Sequence, residues 1–494
     1  MGSGIHLYSK CMHSLLDFKD IIKIKEEYVM KGIKVGYRML SLAMTLIVIL
    51  SVCGCGKNTG ESSLGTSEYD LKGRTVVLGG YANMAPDEAS NTYIQEQQLL
   101  EDIEKKYNCK LDFTYTNDWA TWIDTIKMTA LSGQKVADAF CATIDYILPT
   151  WVSNEMLVPL DDYIDLENEA WNKDTVDFWK MGDKHYTVST GKHYLGYCIL
   201  FNKRICASYG ITDQQLYDLQ KNGEWTWDKL LELTKQCTKD TDNDGKTDVW
   251  GFGAYGCAPI SAESFIFSNG SSCVTLDENF KYQYNLTDPA AIEAIEFCRM
   301  MANDAGVCYK GDYDWGTWEK LWNRGKVAFY QVPSWEMDAY YENLKDDEFG
   351  ILLIPKGPKA EGYVNAENIA DGWFMQPQVE DKETIGAILT DWLYPYEWRE
   401  DDSAWKLASA KVFDDGSLDA YKMIEECSTP ALGEIATWFR DNVLWNDFGV
   451  NTNMAGRTYA ETYQAASQQA FDELLFDLQN STAEDTTSTE SESK

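Results

Sequence analysis

Between residues 74 and 143 short apolar runs alternate with stretches of helical spacing, and this alternation restricts the fold more than any other feature. RTVVLGGYA, residues 74–82, reads as a buried strand entering a glycine turn. Residues 91–107 then place Leu100, Ile103 and Tyr107 at helical spacing. CKLDFTYTND, residues 109–118, is a second strand; Trp122, Ile126 and Ala130 mark a second helix; VADAFCAT, residues 136–143, is a third strand. Strand–helix–strand order of this kind predicts an α/β fold with a parallel sheet covered by helices. Ligands of such sheets sit beyond the carboxyl ends of the strands. Those ends are Tyr81, residues 117–119 and residues 143–146.

Further along, WTWDKLLELTKQ (225–236) is a helix that Thr226 or Asp228 would cap. LTDPAAIEAIEFCRMM (286–301) begins with Asp288 as cap and Pro289 as first helical residue. GKVAFYQVPSWEMDAYY (325–341) reads as strand, turn, then a helix starting near Trp335, and FGILLIP (349–355) as another strand. No internal repeat is visible.

At 494 residues the chain is long enough for more than one lobe with its own core. Its formal net charge of −36 argues against a nucleic-acid partner, which would want a basic surface. Ten cysteines follow Cys55 without CxxC spacing or histidine pairing, which argues against a zinc site and for free buried thiols. Lys31, Lys34 and Arg38 precede the apolar run MLSLAMTLIVILSV at 39–52, and Cys53-Gly54-Cys55 follows. This is the order of an export signal, and the run is short for a membrane span. The end of the run is similar to a bacterial lipobox with Cys55 as the lipidated residue; a plain signal peptide or anchor helix is the alternative. Met30 reads as a more natural start than Met1. Residues 56–68 are rich in Gly, Ser and Thr, as a flexible tether is, and residues 481–494 have the composition of a disordered tail.

DTDNDGKTDVW, residues 240–250, resembles the start of a calcium loop. Asp240, Asp242 and Asp244 take positions one, three and five, Gly245 six and Asp248 nine, but position twelve is Gly251 in place of a bidentate Glu. A structural calcium ion and a solvated polar turn both remain open; no other cofactor is called for.

Several segments, in order, resemble the family 1 extracellular solute-binding proteins, the carbohydrate-binding lipoproteins of ABC importers. WIDTIKMTALSGQKVADAFCATIDYILPTWVSNEMLVPLDDY is similar to that family's helix, turn, Asp-strand, site loop and Leu-x-Pro-Leu segment. GYCILFNKRICASYGI, WTWDKLLELTKQCTKDTDNDGKTDVWGF, LTDPAAIEAIEF and GKVAFYQVPSWEM match later family segments. Together they span about 75–474. The resemblance implies a two-lobe periplasmic-binding-protein-like (type II) α/β fold, with hinge-crossing segments near 186–197, 351–363 and 411–417. It divides the chain into an extension and signal (1–54), tether (55–69), first lobe (70–190), second lobe (191–350), first lobe again (351–412), second lobe again (413–480) and tail (481–494). It further implies a monomeric receptor without enzymatic activity, lipid-anchored at the extracellular face of the bacterial membrane. Such a receptor closes on a sugar and docks on permease subunits. A peptide or polyamine receptor, or a secreted glycosidase, is the alternative.

Sugars are held by aromatic faces and by polar groups on their hydroxyls. With 18 Trp and 29 Tyr, most aromatics must be core filler, so position has to select among them. By the resemblance Trp335, after Pro333-Ser334, is the stacking residue; Asp145, in the loop after the third strand, matches a sugar-binding Asp of members such as maltose-binding protein. Trp373, after Asp371-Gly372, stands where an aromatic can face the cleft. Trp119 and Tyr81 lie at strand ends. Tyr194, Tyr255 and Glu263 complete the set, the last two in GFGAYGCAPISAES, where Gly251, Gly253 and Gly256 would let backbone approach a ligand.

Overall fold

The structure is a computed structural model that describes residues 69–148, 150–190, 193–194, 196–256, 258–277, 281–309, 316–334, 348–367, 369–399, 414–433, 435–444, 448, 450 and 453–488. Its strands are β1 (Arg74–Gly80), β2 (Cys109–Tyr115), β3 (Ala139–Thr143), β4 (His193–Tyr194), β5 (Tyr197–Asn202), β6 (Trp250–Ala254), β7 (Val274–Leu276), β8 (Tyr282–Tyr284), β9 (Val327–Pro333), β10 (Phe349–Leu352), β11 (Asn365–Glu367), β12 (Ile369–Phe374) and β13 (Ser428–Pro430).

The first sheet has the order β2-β1-β3-β12-β4. β1 runs parallel to β2 and β3, as the alternation requires, while β12 returns antiparallel to β3 and pairs with β4. The helix Tyr93–Tyr107 buries Leu99, Ile103 and Tyr107 on one face. Leu100, expected in that stripe, sits at its half-buried margin. The helix Trp119–Leu131 starts on Asp118, whose carboxylate accepts the Thr121 N–H at 2.7 Å, and it buries Trp122 and Ile126.

The second sheet has the order β10-β5-β9-β6, with β6 and β9 parallel and β5 antiparallel to β9. β5 and β9 are mostly apolar because both faces are covered, with Asn202 and Gln331 as buried polar members. The helices around this sheet start where the sequence marks them. Thr226 caps Trp227–Cys237, and Asp288 accepts the N–H groups of Ala290 and Ala291 at the head of Pro289–Arg299. The helix expected near Trp335 lies outside the described residues.

The chain passes between the sheets at identifiable points. β4 belongs to the first sheet and β5, starting at Tyr197, to the second; β10 ends in the second sheet at Leu352 and β12 enters the first at Ile369. β11 and β13 pair in parallel beside these passages. Asp414 accepts the Ser417 N–H at 2.8 Å, capping the helix Asp415–Cys427, which packs on β10. Asp414 also pairs with Lys203, which follows β5 and lies 3.4 Å from Asp213. This ties the final segment to the second lobe. The helix Gly456–Ser488 continues beyond Ser481, so the first part of the stretch read as a disordered tail is helical. Among the described residues the cysteines are free thiols, mostly buried, and burial pushes the Cys198 thiol up to about 12. No described helix is long and apolar enough to cross a membrane.

Candidate functional site

The carboxyl edge of the first sheet gathers the polar side chains that the strand order brings together. Tyr81 follows β1, and Thr143 ends β3. Because β12 is antiparallel to β3, its early residue Asp371 falls directly opposite Thr143. The Tyr81 hydroxyl donates to Asp371 Oδ2 at 2.7 Å and the Thr143 hydroxyl to Oδ1 at 3.2 Å. The indole N–H of Trp119 donates to Thr143 Oγ1 at 2.9 Å. Trp119 meets Tyr146 edge-on, with ring centroids 4.7 Å apart. Burial raises the Asp371 pKa, and the hydrogen bonds from Tyr81 and Thr143 act in the opposite direction. Gly372 is required by packing: a Cβ there would lie 2.1 Å from Thr187 Oγ1 and 2.7 Å from Ile144.

The second lobe reaches this edge through its last segment. Arg440 lies over the Tyr146 ring, 4.3 Å from its centroid, and is also bonded to Asp441 at 3.0 Å. Two residues before it, Trp438 is 38% exposed, although large apolar side chains in this chain are mostly buried. Phe439, between them, packs on Tyr284 and Phe471 of the second lobe. The Arg440 guanidinium therefore reaches from a well-anchored turn onto the first lobe's aromatic pair, while the Trp438 ring lies near Tyr463 of the second lobe, with centroids 6.5 Å apart.

The residues named from sequence fall in different places. Tyr81 and Trp119 join the edge network. Asp145 is buried in the turn Ile144–Ile147 next to it. Trp373 is 5% exposed and packs in the first lobe's core, with its backbone N–H bonded to Val188 O at 2.8 Å. Alternation puts Asp371 and Trp373 on one face of β12, but Trp373 lies two residues, about 7 Å, deeper than the strand end. Asp371 takes the edge position instead.

On the second sheet, Tyr255 follows β6 half-buried, its N–H on Gln331 O at 2.8 Å. Glu263 is buried in the first turn of the helix Ala262–Ser268, against Gly433. Gly251 and Gly253 are a correction. A Cβ at Gly251 would lie 2.0 Å from Thr234 O, and one at Gly253 would lie 2.2 Å from the Trp318 ring. These glycines admit neighbouring protein, not a ligand. Tyr194 pairs through its backbone with Ile369 in β4, and nothing of its side chain is described. Trp335 and Cys55 lie outside the described residues; Ser334, just before Trp335, is buried with its N–H on Gly196 O at 2.8 Å.

Sequence reading passed over Asp371 and Arg440, which join this edge. Asp371 was visible as half of Asp371-Gly372, and its place opposite Thr143 depends on strand register. Arg440 stands in a short segment with no periodic signal, remote in sequence from Tyr146.

The acidic turn is a separate feature. One carboxylate oxygen from each of Asp240, Asp242 and Asp244 lies within 4.8 Å of the others. A hard cation suits such oxygens. The same carboxylates already organise the turn: Asp240 accepts the N–H of Asn243 at 2.7 Å and of Gly245 at 2.8 Å, and Asp244 that of Lys246 at 2.8 Å. Asp248 stands apart from the three, turned to the N–H and hydroxyl of Thr241 at 2.8 and 2.6 Å.

Two α/β lobes linked by crossing segments, with polar and aromatic residues at the carboxyl edge of one sheet, define the class of two-lobed solute-binding proteins. Solved structures share the fold at low identity. UspC of M. tuberculosis matches with a TM-score of 0.58 and 16% identity, covering 80% of this chain and 100% of that one. The maltose/maltodextrin-binding domain MalE from Bdellovibrio bacteriovorus, bound to maltotriose, matches with a TM-score of 0.55 and 18% identity, over 80% and 99%. The ABC substrate-binding protein Lmo0181 from Listeria monocytogenes, in complex with cycloalternan, matches with a TM-score of 0.54 and 14% identity, over 82% and 99%. No curated protein matches by sequence. Residues 85–394 match the family model of the bacterial extracellular solute-binding proteins, and the chain belongs to that family.

Proposed function

We propose that this solute-binding protein captures a neutral oligosaccharide outside the cell, closes its lobes around it and delivers it to the permease of an ABC importer. It carries out no covalent chemistry. The observation that carries the reading is the carboxyl edge of the first sheet, where Trp119 and Tyr146 supply aromatic faces beside the hydroxyls of Tyr81 and Thr143. Aromatic faces suit sugar C–H surfaces, and fixed polar groups suit sugar hydroxyls. Neighbours of the same fold were solved with maltotriose, cycloalternan and mannotriose. Arg440, carried by the second lobe, comes up against Tyr146 of the first, so a sugar between the lobes gains contacts on both sides only when they approach. Differential affinity of that kind drives closure. Lipid attachment at Cys55 would hold the receptor at the membrane surface.

Calorimetry of the full chain in detergent against maltotriose, mannotriose, single amino acids, a tripeptide and spermidine tests this reading. Heat from an oligosaccharide alone is the expected result; binding of the peptide or spermidine without any sugar overturns it, and slow release of shorter sugars shows an enzyme. Labelled palmitate incorporated by the expressing cells should mark the chain and be lost in Cys55→Ser.

A further inference from the structure

We propose that Cys206 and Cys237 are a disulfide-forming pair, oxidised by an external disulfide as the exported chain folds, and that the bond staples together two helices of the second lobe. The inference goes beyond the carbohydrate reading and draws only on the extracellular family and on the packing of this lobe. Both residues are free thiols in the structure, both are fully buried, and both belong to one core cluster. Cys206 lies in the helix Lys203–Ser208 that follows β5, and Cys237 ends the helix Trp227–Cys237. The C-terminal ends of these helices are fastened side by side. The Gln236 amide donates to Tyr209 O at 2.6 Å, and Lys239 Nζ lies over the Tyr209 ring, 5.7 Å from its centroid. Tyr209 is itself held on the Cys206 turn: its N–H and that of Ile211 donate to Cys206 O at 3.0 and 2.9 Å. Contacts on either side of Cys237 thus press it against the turn that carries Cys206, and the side chains meet sulfur to sulfur. The Cys206 thiol hydrogen-bonds that of Cys237, which together with burial raises the Cys206 pKa.

The oxidant is a disulfide of a protein or of a small thiol compound, which persists outside the cell and not in a reducing cytosol. One cysteine, as thiolate, attacks that disulfide and releases the first outer thiol. The other then attacks the mixed disulfide at the chain's own sulfur and releases the second. One S–S bond breaks and one forms, two electrons pass from the chain to the oxidant, and the two thiol protons end on the oxidant's sulfurs. In the folded lobe neither sulfur is exposed and the Cys206 thiol stays protonated, so the exchange belongs to the time before the helices finish packing. The bond would join two helices that are anchored elsewhere at their other ends. Lys203, at the head of one, pairs with Asp414, the cap of the helix Asp415–Cys427. Ahead of the other, the Trp225 indole donates to Leu353 O at 2.8 Å and the Trp227 N–H to Lys356 O at 3.2 Å, both on the passage from β10 to β12. A link between the far ends closes a loop around the helix Asp213–Lys221 and touches none of the residues of the first-lobe edge. It therefore stabilises the second lobe and leaves sugar affinity as it is.

The test refolds the full chain from guanidinium chloride, in detergent, in a buffer of reduced and oxidised glutathione, and then blocks free thiols with iodoacetamide. Peptide mapping without reductant should recover the peptides of Cys206 and Cys237 joined, lighter by two hydrogens than their sum. A second sample refolded in dithiothreitol should melt several degrees lower and bind sugar equally well. The double variant Cys206→Ala/Cys237→Ala should melt alike from both refoldings. Recovery of both cysteines as blocked thiols, or joined to other cysteines, overturns the proposal, as does a difference between the two refoldings that persists in the double variant. Equally fast formation of the bond in chain already folded under reductant overturns its assignment to the time of folding. If the double variant does not fold, the wild-type map decides alone. If no sugar binds the wild type, the carbohydrate reading falls, and the map still decides whether the two sulfurs pair.

Discussion

Two carboxylates at opposite edges of the first sheet, Asp138 and Asp371, are held in opposite ways. Asp138 precedes β3 at its amino end and is 3% exposed. It accepts the Val77 N–H at 2.9 Å and pairs with two cations, Arg74 and Lys135. Asp371, at the carboxyl edge, is held by two hydroxyls and by no described cation. A buried charge needs compensation wherever it sits. At the amino edge fixed cations supply it and lock the strand ends together. At the carboxyl edge hydroxyls supply it, and one of them, on Thr143, is in turn met by the Trp119 indole N–H. The first arrangement is an ionic scaffold; the second is a network of neutral donors around one carboxylate.

The largest effect should come from breaking the scaffold. Arg74→Ala leaves Asp138 buried with one cation fewer and should cost about 3 kcal/mol in denaturant unfolding. Sugar affinity of the surviving folded protein should hardly change; a parallel loss of affinity would erase the distinction between the two edges. Trp119→Ala is the converse. It should weaken oligosaccharide binding by about 1–3 kcal/mol in calorimetry, with little change in melting temperature.

A subtler separation comes from pH. The Asp371 pKa is raised by burial, so between the ordinary value of 3.8 and its own value the folded chain holds a proton that the unfolded chain has lost. This group alone makes stability fall as pH rises through that window, and Asp371→Asn should remove the fall. Asp414 behaves oppositely: burial pushes its pKa up, but Lys203, the Ser417 N–H and Tyr217 outweigh this and lower it. Its contribution is present above 3.8 and is lost as pH falls through its lowered value, so Asp414→Asn should destabilise at neutral pH and not in strong acid. Melting temperatures of the two variants across the acid range should diverge in sign.

The smallest effects belong to the acidic turn. In EDTA, Asp240→Ala should cost about 1 kcal/mol, since it removes acceptors of two main-chain N–H groups, and Asp242→Ala less. A calcium-dependent rise in the wild-type melting temperature that Asp242→Ala abolishes would place an ion on the three carboxylates; no rise leaves a self-bonded polar turn.

Sequence alone was enough for whatever depends on near neighbours. The alternation from residue 74 to 143 specified a parallel three-strand unit because strand and helix periods express local burial. The caps at Thr226 and Asp288 were readable because a cap and the N–H it bonds lie within three residues. The resemblance of ordered segments carried the family. Tertiary structure decided the rest. Whether Asp371 or Trp373 stands at the edge follows from the β3–β12 register, and pattern gives the face of a strand but not the depth along it. The use of Gly251 and Gly253 followed from Thr234 and Trp318, which close in only when the second lobe packs. The candidate site joins Tyr81, Trp119 and Thr143 with Asp371 and Arg440, which lie 228 or more positions further along and whose meeting with them no local period encodes.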